Sequence, residues 1–139
     1  MRILKLCAAL SLLGLAACSQ LPTGSFESPT AIGTGNITRW HSNNMEDFAQ
    51  GQFHPAVKAL LQKAQQSRLQ SNWQRSMTWL DQARQIAPRN AEVFLRQSWV
   101  ALQMGDKPLT RQLAQRGLVF SDDAMTEVKL KQLVRESDK

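Results

Sequence analysis

The sequence has no tyrosine and only two cysteines, Cys7 and Cys18, both within its first eighteen residues. Residues 19–139 therefore contain no thiol, which excludes disulfides, cysteine nucleophiles and cysteine-ligated metals from that part of the chain. Histidine is equally scarce: neither His41 nor His54 has Cys, Asp or Glu at ligand spacing. No serine is accompanied by a histidine and an acid, and the glycines form no phosphate-binding loop. We therefore expect no enzyme, no metal and no cofactor.

A long hydrophobic run is also missing. The apolar stretch Leu6–Leu15 has only ten residues and is interrupted by Ser11 and Gly14, whereas a membrane-spanning helix needs roughly 20 apolar residues. Arg2 and Lys5 precede this stretch. A positive start followed by a short apolar run is typical of a signal peptide that is cleaved after export.

The four residues Leu15-Ala16-Ala17-Cys18 follow this run and resemble the lipobox of bacterial lipoproteins. The resemblance implies a signal peptide over residues 1–17 and a Cys18 that carries palmitate and other acyl chains, which anchor a protein stably where a single chain does not. Ser19 stands where an inner-membrane retention signal has Asp, which implies the outer membrane, with the protein facing the periplasm. The alternative is an ordinary signal peptide in which Cys18 is unmodified.

Acidic residues are fewer than basic residues, 11 against 17, giving a net charge of +6. Removing Arg2 and Lys5 with the signal lowers it to +4. The excess is concentrated between Lys58 and Arg116, with ten Lys or Arg and three acids. Nucleic acid would suit such a patch in the cytoplasm, but an exported chain does not meet it there. A protein surface, peptidoglycan or lipid headgroups are the remaining anionic partners, and a solvated helix surface is the alternative.

Residues 18–53 are rich in Ser, Thr, Gly, Asn and Pro and hold neither a helix nor a strand period. We interpret them as a flexible tether, whose about 35 residues would span roughly 30–35 Å on average. Trp40 in this stretch is either a stray apolar residue or a short docking patch.

From His54 to residue 139 the patterns predict five helices and no strand. Pro55 suits a first helical turn, and Val57, Leu61 and Ala64 lie on one helical stripe. The third predicted helix, residues 91–104, is apolar almost all round, which predicts a central, buried element. The predicted helix boundaries are Ser71-Asn72, Pro88-Arg89-Asn90, Gly105-Asp106 and the cap Ser121-Asp122-Asp123, with the last helix ending near Ser137.

A shift of 34 residues aligns this region with itself and places small or apolar residues on one another. The matched pairs are Leu60 with Phe94, Ala64 with Ser98, Ser71 with Gly105, Ser76 with Thr110 and Ala83 with Gly117. This period resembles the tetratricopeptide repeat. The resemblance implies an all-α domain over residues 54–139, a helix-turn-helix array of two repeats plus a C-terminal capping helix.

In the tetratricopeptide family, the first helix of each repeat lines a concave groove. Transferring the groove positions to this chain gives a predicted partner-binding set: Lys58, Gln62, Gln65, Arg68, Glu92, Arg96, Trp99, Gln103 and Lys129. An aromatic residue flanked by arginines is common at binding hot spots, and we expect Arg68 and Arg96 to be exposed. The alternative for Trp99 is a core position beneath the capping helix.

The lipid anchor, tether and small repeat domain together resemble the outer-membrane lipoproteins that activate class A penicillin-binding proteins. The resemblance implies a non-catalytic adaptor in peptidoglycan synthesis whose partner is such a synthase. A pilotin-like or scaffold lipoprotein that assists outer-membrane or secretion complex assembly is the alternative.

Replacement of the lipid-bearing thiol tests the anchor. Cys18→Ala should abolish incorporation of labelled palmitate and release the protein from membranes, because no other residue in this account carries a lipid. Cys7→Ala is the matched control and should leave labelling intact, since Cys7 leaves with the signal. Palmitate labelling that persists in Cys18→Ala would contradict the lipobox interpretation.

Overall fold

The computed structural model of the chain describes residues 40–43 and 45–139. The predicted signal peptide, the predicted lipid attachment at Cys18 and the first part of the predicted tether lie outside these residues and stay predictions. Within the described part the chain forms five α-helices and no strand, as predicted. None of these five helices is both long and apolar enough to cross a membrane.

The five helices follow one another through short connections. They are α1 (Pro55–Leu69), α2 (Trp73–Ile86), α3 (Ala91–Gln103), α4 (Lys107–Val119) and α5 (Ala124–Ser137). Each neighbouring pair in sequence packs together, and α3 also packs on α5. The predicted array of two helical pairs with a final capping helix is confirmed.

Every helix begins at a side chain that accepts a hydrogen bond from a backbone N–H in its first turn. The capping residues are His54, Asn72, Asn90, Asp106 and Asp123. Such caps satisfy N–H groups that have no partner inside the helix, and each contributes about 1 kcal/mol. Asp123 therefore acts as a helix cap, as predicted.

The turns within the two repeats have the same geometry. Ser71 and Gly105, which lie 34 residues apart, both have positive φ, at 55° and 76°. In both turns the next amide donates to the carbonyl five residues before it, at 2.9 and 3.0 Å. Glycine adopts this left-handed conformation readily, whereas serine is strained in it. The repeat detected in the sequence is thus reproduced at the level of backbone hydrogen bonds.

Helix α3 is the centre of the domain. Every residue from Val93 to Ala101 is buried, and α3 packs against α2, α4 and α5. This confirms the prediction made from its all-round apolar pattern. Full burial of a leucine or phenylalanine side chain is worth about 1.5–3 kcal/mol, so α3 supplies much of the apolar stabilisation.

Small residues allow the helices to approach closely at the repeat positions. Within the first repeat, the Ser76 hydroxyl donates to the backbone carbonyl of Ala64 at 2.9 Å. In the second repeat, a Cβ atom added at Gly117 would lie 2.9 Å from the Leu130 side chain and 3.0 Å from Cβ of Phe94. The glycine is therefore needed for α4 to sit against α3 and α5.

Two polar residues at usually apolar repeat positions find specific partners. Gln97 of α3 is fully buried, and its Nε2 donates to Oδ1 of Asp81 on α2 at 2.6 Å. The Nζ atom of Lys63 lies over the ring of Trp79, 4.6 Å from its centroid. These contacts join α3 to α2 and α1 to α2, which is how the fold accommodates the two polar side chains.

The described end of the predicted tether lies on the helices. Met45 and Phe48 are buried, and Trp40 and Phe53 are partly buried against the same core. These apolar residues are irregularly spaced, so they show no helix or strand period in the sequence. This stretch is held instead by side chains from 17 to 83 residues away along the chain, which local patterns cannot reveal.

Gly117→Ala should destabilise the domain by about 1–3 kcal/mol, because the added methyl group overpacks the junction of α3, α4 and α5. This loss should outweigh the roughly 1 kcal/mol by which alanine favours a helix over glycine. Urea unfolding measures the difference.

Gln115→Ala, at an exposed site of the same helix, is the matched control and should change the unfolding free energy little. A Gly117→Ala protein as stable as the control would contradict the close packing at this position.

Candidate partner-binding groove

Side chains of α1, α3 and α5 converge on the six residues Met45–Gln50, which we call the groove segment. No Cα atom of α1 lies within 8 Å of a Cα atom of α3, and the groove segment lies between these two helices. The surface of α1, α3 and α5 that it covers carries most of the residues assigned to the groove from the repeat, and we call this surface the groove. The groove is thus occupied by the chain itself.

Arg68 of α1 binds the first half of the groove segment through its backbone. Its Nη2 donates to the carbonyl of Met45 at 2.6 Å, and its Nη1 donates to the carbonyl of Glu46 at 2.7 Å. Burial lowers the pKa of the Arg68 guanidinium, and the carboxylates of Asp47 and Glu46 offset this only in part. The guanidinium is therefore partly removed from water and depends on these acceptors.

Arg96 of α3 binds the second half in the same way. Its Nε donates to the carbonyl of Phe48 at 2.7 Å and its Nη2 to that of Gln50 at 2.9 Å. The remaining nitrogen, Nη1, donates to the backbone carbonyl of Glu92 at 2.8 Å and pairs with its carboxylate. Arg96 is only 4% exposed, so the expectation that it is exposed was wrong. A guanidinium with all its nitrogens bonded can be buried.

Phe48 anchors the segment and is fully buried. Its ring meets that of Trp99 edge-on, with centroids 5.9 Å apart and planes at 84°. The guanidinium carbon of Arg68 lies 4.9 Å from the Phe48 centroid and 4.5 Å from that of Trp99, a cation–π arrangement. The Phe48 amide donates to Oε1 of Gln65 at 3.1 Å. Phe48 therefore connects α1 to α3, whose backbones do not pack directly against each other.

An ion pair holds the acidic end of the segment to the capping helix. Nζ of Lys129 on α5 lies 2.5 Å from Oε1 of Glu46. Partial burial of Glu46 acts to raise its pKa, but the hydrogen bond from Lys129 and the positive charges of Lys129 and Arg96 outweigh this effect. The pKa of Glu46 is consequently lowered from 4.5, and the folded state favours its ionised form.

The nine predicted partner-binding residues divide into two groups. Those engaged with the groove segment, directly or through Arg96, are Gln65, Arg68, Glu92, Arg96, Trp99 and Lys129. The exposed remainder are Lys58, Gln62 and Gln103. That any of the nine binds another protein stays a prediction.

The two alternatives for Trp99 are a groove position and a core position, and the structure places it in the core. It is only 4% exposed, and its indole N–H donates to the carbonyl of Ser42. The ring of Trp73 packs edge-on against it at 5.8 Å. The layer over Trp99 includes Phe48, so this core is completed by the segment that precedes α1.

The residues that sequence reasoning missed are those of the groove segment itself. Glu46 and Phe48 are two residues apart, and a turn begins between them, where the Gln50 amide donates to the Asp47 carbonyl at 3.0 Å. An acid and an aromatic at this spacing, just before a basic groove, are the signal that could have found them. Trp40 precedes the groove segment and lies near the same capping helix: Nζ of Lys129 is 6.0 Å from the centroid of the Trp40 ring.

A cleft of about 640 Å³ opens beside the groove segment, between residues Gln50–Phe53 and the N-terminal ends of α3 and α5. Its wall includes Arg89, whose guanidinium lies over the ring of Phe120 at 5.6 Å. Both carboxylates and cations line it, so no single charge is favoured. Across the described residues, no group of three or more His, Cys, Asp or Glu could hold a metal ion.

Comparison with known proteins identifies the domain. A solved structure of the globular C-terminal domain of P. aeruginosa LpoP is similar to this chain, with 30% sequence identity and a TM-score of 0.59. The match covers 62% of this chain and 82% of the LpoP domain. The chain belongs to the family of the LpoP globular domain. This confirms the resemblance drawn from the sequence. No protein-family model matches the chain, and no curated protein sequence matches it significantly.

The LpoP-like domain should lose stability in acid through Glu46. Because the pKa of this group is lowered in the folded state, its contribution is present above pH 4.5 and is lost as the pH falls through the lowered value. The unfolding free energy of the wild type should therefore fall more steeply between pH 6 and pH 3 than that of Glu46→Gln, which cannot titrate there. Urea unfolding across this range measures the slopes, and equal slopes would contradict the ion pair with Lys129.

Proposed function

We propose that this chain is an outer-membrane lipoprotein, anchored through Cys18 and facing the periplasm, that binds and activates a class A penicillin-binding protein. The observation that carries the proposal is the similarity to the LpoP globular domain. The lipobox-like residues and the tetratricopeptide-like repeat support it, because lipoprotein activators of these synthases also combine a lipid anchor with a small repeat domain.

The character of the domain supports a binding role over a catalytic one. Its groove is built from arginine, glutamine and tryptophan side chains that already hold the backbone of Met45–Gln50 through four arginine–carbonyl hydrogen bonds. Such an arrangement positions a chain and offers no nucleophile or general base to it. We propose an adaptor that acts on the synthase by association alone.

Activation would be a shift between conformations of the synthase. A ligand changes such an equilibrium only through its differential affinity for the two states, so the domain must bind the active conformation more tightly. The predicted tether sets where this can happen. With residues 40–53 held on the helices, the stretch from Ser19 to Arg39 is left to span the distance from the membrane, about 25 Å on average for a flexible chain and up to roughly 70 Å when fully extended.

The exposed groove residues are the best candidates for first contact. Lys58 and Gln62 lie on the same stripe of α1 as Gln65, which binds the groove segment, and both are exposed. Gln103 is exposed at the end of α3. These three side chains continue the groove surface beyond the part that Phe48 covers, so a synthase could reach them with the segment in place.

Glycan-strand synthesis by a purified class A synthase from the same organism tests the proposal. The soluble chain from Ser19 to Lys139 should accelerate polymerisation. Lys58→Glu should reduce this acceleration severalfold, because it reverses a charge on the exposed part of the groove. Lys107→Glu is the matched control, an exposed lysine at the start of α4, and should retain the acceleration.

Two outcomes would count against parts of this account. Absence of both acceleration and binding would refute the synthase as partner. Acceleration that is equal in the wild type and in both variants would retain the function and remove the exposed groove residues from the contact.

A further inference from the structure

We infer that the groove segment is a ligand carried by the chain itself, and that it exchanges with a peptide that has a carboxylate two residues before an aromatic side chain and forms a turn at that aromatic residue. The concave groove is then a binding site for peptides of this chemistry, normally occupied by Met45–Gln50. Four features of the contacts lead to this assignment.

The first feature is that recognition is directed at the backbone. Arg68 and Arg96 donate to four main-chain carbonyls of the segment, and Gln65 accepts from one of its amides. The segment turns between Asp47 and Gln50, where the Gln50 amide donates to the Asp47 carbonyl at 3.0 Å, so any peptide that forms this turn offers the same carbonyls and amides at the same spacing. The arginines therefore fix the position and direction of a bound chain without requiring a particular sequence.

The second feature is that two side chains supply the specificity. Phe48 fills the space between Arg68 and Trp99 and is fully buried, while Glu46 meets Lys129 on α5 at 2.5 Å. Asp47 lies between them, is exposed, and accepts a hydrogen bond from the Ala49 amide. Asp47 therefore faces solvent, whereas Glu46, Phe48 and the buried Met45 face the helices.

The third feature is charge. The groove presents the cations Arg68, Arg96 and Lys129, of which only Arg96 forms an ion pair with a carboxylate of its own helix, that of Glu92. Glu46 and Asp47 bring two negative charges to this surface. A replacement peptide without a carboxylate would leave Lys129 without its ion pair, so the groove favours an acidic occupant.

The fourth feature is that the segment can leave without unfolding a helix. It contains no helix or strand, and α1 to α5 pack in sequence order through direct contacts of their own. The segment is followed directly by Gly51, whose φ of 120° is a conformation that other residues rarely adopt. Rotation about this glycine can carry the segment out of the groove while α1 stays in place.

Exchange of the groove segment is a property of this chain alone and holds whether or not a synthase is the partner. The test is therefore binding of a fluorescently labelled peptide with the sequence of residues 42–53 to the soluble chain from Ser19 to Lys139, followed by anisotropy. The wild type should bind the labelled peptide weakly, because the resident segment competes for the groove. Only the fraction of molecules with an open groove can bind, so the apparent affinity is the intrinsic affinity multiplied by that fraction.

Phe48→Ala in the protein should open the groove and bind the labelled peptide at least about tenfold more tightly than the wild type does. A peptide that itself carries alanine at the Phe48 position should not bind this variant. A Phe48→Ala protein that keeps its helical circular dichroism yet binds the peptide no more tightly than the wild type would overturn the inference.

A matched pair of milder variants decides the matter if Phe48→Ala does not fold. Glu46→Gln removes the charge that faces Lys129, and Asp122→Asn removes an exposed charge outside the segment. Glu46→Gln should bind the labelled peptide about two- to fivefold more tightly than Asp122→Asn, as expected for loss of a partly exposed ion pair in the resident segment. Equal binding by these two variants and the wild type would show that the segment is a fixed part of the fold.

Discussion

Two arginine side chains hold the structure together at its centre. Arg68 and Arg96 are each partly or fully removed from water, and most of their hydrogen bonds go to backbone carbonyls of Met45–Gln50. Burying a guanidinium without acceptors is strongly unfavourable, so the presence of these arginines requires a chain in the groove.

The segment that supplies these acceptors also brings Phe48 over Trp99, which closes a gap that α1 and α3 leave between them. A two-repeat array is short by the standards of its kind, and this extra layer enlarges its core.

A filled groove changes how the lipoprotein would meet its partner. The surface that an open tetratricopeptide array offers is here divided between a covered part around Phe48 and an exposed part that includes Lys58 and Gln62. The proposed partner would either bind the exposed part directly or gain the covered part by competing with the resident segment. Because that segment lies within the predicted tether, its release would also lengthen the proposed connection to the membrane. Contact with the partner and reach from the membrane would then be coupled through one short stretch of chain.

The helices were predictable and the occupant of the groove was not, for a physical reason. Pro55, Asn72 and Asp123 are local signals, since caps and breakers act within one turn, and the 34-residue repeat fixed which helices pair. The same repeat placed Arg96 and Trp99 on the groove, but it could not tell that both are buried. Their burial depends on Phe48, which is 48 residues from Arg96 along the chain and belongs to no periodic element. Contacts between an irregular segment and a regular array follow from complementary shape and charge, which a single sequence does not display.

The most direct measurement of this account is the hydrogen-exchange rate of the Phe48 backbone amide in the soluble chain, followed by NMR. This amide donates to Oε1 of Gln65 at 3.1 Å beneath a buried aromatic ring. The account predicts protection by at least about tenfold relative to an unstructured chain, since exchange requires the segment to open. An amide that exchanges at the unstructured rate, in a domain whose α3 amides remain protected, would show that the groove is empty in solution and would contradict the central claim.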